Sequence, residues 1–142
     1  MKKTLITVLA AALAAPAAVL ASRSEADAAP TPTVHQVRMV MEGNAARFVP
    51  ANITVRAGDQ VRFTTASGGP HNVAFDPAQV PDAAEARLSA GMPDQIAPLS
   101  GPFVINAGDS YTVSFAGVPA GRYEINCLPH QAMGMKGVIT VQ

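Results

Sequence analysis

Cys127 is the only cysteine in this chain of 142 residues, and the chain opens with the pattern of an export leader. Lys2 and Lys3 precede an apolar stretch from Leu5 to Ala21, with small residues suited to cleavage at Val19-Leu20-Ala21 and again at Ala26-Asp27-Ala28. That is the form of a secretory signal over residues 1–21, with cleavage as late as 28. A membrane anchor is the competing reading, but the run is short for a span, Pro16 interrupts it, and polar Ser22 to Asp27 follow. No cysteine stands at the boundary to carry a lipid. An exported domain with one cysteine cannot cross-link itself. It must fold on its apolar core alone, and its thiol must be buried or bound to survive an oxidising compartment. About 110 residues after the leader suffice for such a core.

Residues 22–33 are small, polar and proline-containing, and read as a flexible linker. From Val34 the chain reads as β. Val37, Met39 and Met41 alternate with Gln36, Arg38 and Val40, and Val61 and Phe63 alternate with Arg62 and Thr64. His71, Val73 and Phe75 share a face, as do Tyr111, Val113 and Phe115, then Tyr123, Ile125 and Cys127; Ile139 and Val141 close the chain. Turns fall at Ala57-Gly58-Asp59, Ala107-Gly108-Asp109 and Gly117 to Gly121. Pro50, inside the extended run Phe48 to Val55, marks an edge or a bulge. Short strands with regular turns predict an all-β, antiparallel sandwich over residues 34–142. The stretch from Pro77 to Pro102, with Pro81, Pro93 and Pro98 inside it, breaks the pattern. It predicts a long surface excursion with a helical turn or two between Asp82 and Ala90, after which Phe103-Val104-Ile105 resumes strand character.

From Pro30 onward seven basic residues face eight acidic ones, and no charged run occurs. Nucleic acid and anionic membrane therefore gain no support as partners.

The remaining signal lies in donor atoms. Cys127, His130, Met133 and Met135 fall within nine residues, and His71 sits far upstream in Gly68-Gly69-Pro70-His71-Asn72. A thiolate, two imidazoles and a weak thioether suit one copper ion that changes oxidation state. Each residue also has a plainer reading. Cys127 shares parity with Tyr123 and Ile125, as a core cysteine would, and a lone histidine on an apolar strand face is commonly a core residue. Cys-x-x-His by itself also fits zinc sites. Pro129 restricts the backbone between Cys127 and His130 and turns the imidazole back toward the sulfur. Of the two methionines one reads as core filler; Met135, next to Gly137 and the closing strand, is the better placed ligand. His35 has no ligand type beside it and reads as a surface residue.

Taken in order, His71-Asn72-Val73-Ala74-Phe75-Asp76 and Cys127-x-Pro129-His130-x-x-x-Gly134-Met135-x-Gly137 resemble the blue, type 1 copper proteins of the cupredoxin family, nearest its plastocyanin and pseudoazurin members. The likeness runs from about Phe48 to Gln142 and includes the Ala-Gly-Asp turn and Gly121-Arg122-Tyr123. The resemblance implies an eight-stranded Greek-key sandwich with one copper ion at its end, cycling between Cu(I) and Cu(II) on His71, Cys127, His130 and Met135. It implies that His130 reaches the surface through an apolar patch of Gly68, Gly69, Pro70, Pro129, Ala132, Met133 and Gly134, where larger redox proteins dock transiently on a monomer. It also implies that Asn72 ties the two ligand loops together. Two positions depart from the family. Leu128 stands where Ser or Thr is usual, so the tie must use backbone groups. Asn126 stands where photosynthetic members expose a tyrosine, and no acidic cluster appears, which argues against a photosynthetic role.

The expected function is a periplasmic or secreted carrier of single electrons between larger redox proteins. The alternative is copper capture or delivery, for which Met39, Met41, Met92, Met133 and Met135 would supply exchangeable donors. A copper enzyme needs further histidines, often paired as His-x-His, and the chain has three in all. A zinc hydrolase needs a general base, and residues 127–135 contain no acidic side chain.

Overall fold

In a computed structural model of the chain, residues 31–142 are described. The leader and all but the last three residues of the expected linker lie outside the described residues. Eight strands follow in order: β1 Val34–Glu42, β2 Ala45–Val49, β3 Asn52–Val55, β4 Gln60–Thr65, β5 Ala74–Phe75, β6 Ser110–Ser114, β7 Gly121–Asn126 and β8 Lys136–Val141. One α-helix, α1, spans Asp82–Ala90, and 3-10 turns occupy Pro77–Gln79 and Leu128–Met133.

The strands form two four-stranded sheets, β2-β1-β4-β6 and β3-β8-β7-β5. This is the expected all-β cupredoxin sandwich, with mixed pairing: β1 lies parallel to β4 and β3 parallel to β8, while the other pairs are antiparallel. The parallel pairs arise because the chain leaves the first sheet at Pro50-Ala51, runs β3 in the second, and returns as β4 beside β1. Pro50 thus sits where one edge strand ends and another begins, a place that needs no ladder N–H. Alternation sends Val37, Met39, Phe48, Phe63 and Val113 inward from one sheet and Val55, Tyr123, Ile125, Ile139 and Val141 from the other. Phe48 and Phe63 meet edge to face, 5.9 Å between ring centres. The Tyr123 hydroxyl donates to the Pro119 carbonyl, 2.8 Å, and pins the turn before β7.

The segment from Pro77 to Pro102 carries the expected helix over Asp82–Ala90 and most of its residues are exposed, but it is anchored in the core. Ala84 and Leu88, one helical turn apart on α1, are buried with Met92 and Leu99 in the common core. Asp82 and Glu85 favour the positive end of the helix dipole. After Gly91 the chain lies against β6: the Ser114 N–H donates to the Gly91 carbonyl, 2.9 Å, and a Cβ at residue 91 would overlap the Ser114 carbonyl oxygen. Phe103-Val104-Ile105 does not form a strand. Only Val104 pairs, in a bridge to His71, and Phe103 and Ile105 stand exposed on either side of it.

At the pole where β1 and β4 begin, Asp59 is a buried acceptor. It takes N–H bonds from Arg56 (2.9 Å) and Thr33 (2.9 Å) and a bond from the His35 ring (2.8 Å). His35 is therefore half-buried and partnered rather than a free surface residue. The Arg56 N–H first, then the His35 ring and the Thr33 N–H, pull the Asp59 carboxyl from 3.8 to about 2. A carboxyl depressed by folding stabilises the fold above its ordinary range, and that contribution is lost as pH falls from about 4 toward 2. Asp59→Asn should lower the urea midpoint at pH 5, and the gap from the natural chain should close by pH 2. A gap that stays constant with pH would show that the charge contributes nothing.

Candidate metal centre

The opposite pole carries the donors. β4 ends at Thr65, and the loop after it delivers His71, which is fixed by paired backbone bonds with Val104, 2.9 and 2.8 Å. β7 ends at Asn126 and delivers Cys127; the 3-10 turn that starts with Leu128-Pro129 then swings His130 back. Gly134, with φ of 74°, reverses the chain into Met135 and β8. Three backbone bonds close this loop on itself: His130 N–H to Cys127 O (3.1 Å), Cys127 N–H to Met135 O (3.1 Å) and Met135 N–H to His130 O (3.2 Å).

Three donor atoms converge although 56 residues separate the first two in sequence. Cys127 Sγ lies 3.7 Å from His71 Nδ1 and 3.5 Å from His130 Nδ1, and the two Nδ1 atoms are 3.1 Å apart. A point equidistant from three atoms so spaced lies about 2.0 Å from each, the bond length of a first-row metal to imidazole nitrogen. The donor set and its spacing fit a single metal ion. His71, Cys127 and His130 are all buried.

The protonation states agree with that fit. His71 Nε2 is 2.8 Å from the Ser67 carbonyl, which can only accept, so Nε2 carries the proton and Nδ1 presents its lone pair to the cluster. Burial, and next the neighbouring His71, push the His130 imidazole below its usual range, which keeps it neutral. Burial raises the Cys127 thiol, while the backbone N–H groups of Asn72 and His130 work against that rise. The Asn72 N–H donates directly to Sγ, 3.4 Å. Binding a cation to the sulfur must release the thiol proton.

Asn72 joins the loops as the resemblance implied, and through backbone as Leu128 requires. Its Oδ1 accepts from the Leu128 N–H at 2.8 Å. Its Nδ2 donates to Ser100 Oγ (3.1 Å) and the Gly101 carbonyl (3.3 Å). Ser67, Ser100 and Gly101 were not marked by any sequence signal. Ser67 acts through its backbone carbonyl, which any residue type offers, and the contacts of Ser100 and Gly101 with Asn72 span 28 and 29 positions.

A β-sandwich with a buried His-Cys-His cluster at one end defines a mononuclear copper protein. The model of the copper-binding proteins of the plastocyanin/azurin family matches residues 35–142. Plastocyanin of Scenedesmus fuscus is 38% identical over 107 residues, covering 75% of this chain and 97% of its own. Among solved structures, oxidised plastocyanin from Dryopteris crassirhizoma superposes with a TM-score of 0.61 at 30% identity, over 75% of this chain and 99% of its own. Pseudoazurin from Methylobacterium extorquens gives 0.51 at 25% identity, over 76% and 74%. The chain belongs to the plastocyanin/azurin family of copper-binding proteins, and its function is that of a type 1 copper electron carrier.

Proposed function

We propose that the copper ligands are His71, Cys127, His130 and Met135, and that the electron enters and leaves through His130. The observation that carries this reading is the convergence of three donor atoms, 3.1 to 3.7 Å apart, on one point. These residues would hold a copper ion, which would supply one-electron chemistry between Cu(I) and Cu(II). The chain's part is to hold the donors still. His71 is fixed by Val104 and Ser67, Cys127 and His130 by the closed backbone loop, so little has to move when charge changes.

Met135 is the fourth ligand on two grounds. It is fully buried, with backbone bonds to both Cys127 and His130, whereas Met133 is 49% exposed. Met135→Leu should therefore change the copper(II) spectrum and raise the reduction potential, while Met133→Leu leaves both in place. The reverse result would assign the thioether to Met133. A copper(II)-loaded protein without an intense visible band would overturn the whole ligand set.

His130 is 8% exposed, and His71, Cys127 and Met135 are 0% exposed, so His130 is the member of the ligand set that reaches solvent. Gly68, Gly69, Pro70, Pro129, Ala132, Met133 and Gly134 are all exposed. This uncharged face suits brief docking of a redox partner with fast release. The leader pattern supports a periplasmic or secreted location. The role is that of a carrier rather than an enzyme.

A further inference from the structure

We propose that Ser100, on the segment between α1 and β6, is a positioning residue for the Cys127 sulfur, an inference that rests on the copper reading of the site. The Ser100 hydroxyl accepts from Asn72 Nδ2 at 3.1 Å, and the Gly101 carbonyl accepts from the same amide at 3.3 Å. The other end of the amide accepts from Leu128 N–H at 2.8 Å, and the Asn72 backbone N–H donates to Sγ at 3.4 Å. The amide orientation is settled by its partners. Flipping it would set N–H against the Leu128 N–H and oxygen against the Gly101 carbonyl. Asn72 is thus fixed from both sides, and it is the residue whose N–H points at the sulfur.

Ser100 is itself held in place. Its N–H donates to Ala97 O and its carbonyl accepts from Ile96 N–H, both 2.9 Å, which closes a tight turn. On either side, Phe75 N–H donates to Leu99 O and Gly101 N–H to Val73 O, both 2.9 Å, so the turn is stitched to the segment that contains Asn72. Ser100 and Asn72 are both buried, so water does not replace a missing hydroxyl at low cost. The prolines and helix of residues 77–102 therefore carry a buried acceptor to the copper end of the sandwich.

The consequence falls on the sulfur. A donor to the sulfur stabilises the reduced centre more than the oxidised one, because the sulfur carries more negative charge when copper is Cu(I). Without the Ser100 hydroxyl, the amide keeps only its longer bond to Gly101, Asn72 loosens, and the oxidised form gains.

The test compares Ser100→Thr with Ser100→Val, which are nearly the same shape and differ in the hydroxyl, with Ser100→Ala as a smaller variant should valine not be accommodated. The first readout is the reduction potential of the copper protein. The second is amide hydrogen exchange at Asn72 and Leu128 in the copper-free protein. Valine and alanine should shift the oxidised-to-reduced ratio about threefold to tenfold toward oxidised, a tenfold shift being about 59 mV for one electron. They should also speed exchange at both amides severalfold, while threonine keeps the natural values. Equal shifts in threonine and valine, or no shift in any variant, would overturn the proposal. A natural chain that takes up copper(II) without an intense band would instead remove the copper reading. The exchange measurement would still report whether Ser100 holds Asn72.

Discussion

Replacing Cys127 with serine should abolish the intense visible band of the copper(II)-loaded protein and, with it, one-electron transfer at the site. The band requires a thiolate bonded to copper, and a serine hydroxyl is a hard donor that stays protonated near neutral pH. The two Nδ1 atoms remain 3.1 Å apart in the frame, so the variant can still hold a metal ion weakly on nitrogen, colourless by comparison. The copper-free fold should survive. Oxygen is smaller than sulfur, and the Asn72 N–H that now donates to Sγ is available to the new hydroxyl. The expected loss of stability is no more than about 1–2 kcal/mol. Absorbance and EPR of the loaded variant, with a urea melt of the copper-free one, separate a lost ligand from a lost fold. A variant that kept the intense band would show that the sulfur is not bound to the copper.

The same burial bears on the capture-and-delivery alternative. Met39 and Met92, which that reading counts as exchangeable donors, are buried in the core, and Met41 packs against it. What remains near the cluster is the exposed Met133 and a closed loop with one sheltered thioether, Met135, and three buried donors. Such a site should exchange copper slowly with a chelator while passing electrons readily.

The part of the site that could be read in sequence was the part that is local. Cys127, His130 and the proposed ligand Met135 lie on one short loop, while His71, 56 positions upstream, stood out only within the ordered motif of the family resemblance. Strand alternation exposed the core for the same reason, since inward and outward residues differ at every second position. Contacts made across the fold left no trace. The bond from Asn72 to Ser100 spans 28 residues and that from Leu128 to Asn72 spans 56. The Asp59 partnership that half-buries His35 spans 24. β5 shrinks to Ala74–Phe75, and the stretch His71 to Phe75 is buried throughout, because neighbours cover it on both sides and a one-face reading fails there. The parallel pairs β1·β4 and β3·β8 depend on the route of the chain between sheets, which periodicity does not encode. In the Pro77–Pro102 segment, five prolines and a nine-residue helix mask an apolar set of five residues, Val80, Ala84, Leu88, Met92 and Leu99.

That masked set yields the second large effect. Leu88→Ala should destabilise the copper-free protein by about 2–5 kcal/mol, the cost of deleting a buried leucine and leaving a partly relaxed cavity. For a domain of this size that is a fall in Tm of roughly 10–20 °C. Leu88 is 0% exposed and belongs to the same cluster as Phe63, Val113 and Phe115, so it is not a surface anchor that solvent could replace. The loss should also reach the metal end. α1 leads through Met92 and Leu99 to Ser100, and Ser100 holds Asn72 against Leu128. Hydrogen exchange at the Leu128 amide should therefore quicken along with global unfolding. Exchange at β3, the edge strand at the opposite end of the second sheet from β5, should follow global stability alone. If Leu88→Ala lowered the unfolding free energy by less than about 0.5 kcal/mol, within the range of surface substitutions, the segment would be a loop resting on the sandwich. Its hold on the copper centre would then have to come from Ser100 and Gly101 without support from the core.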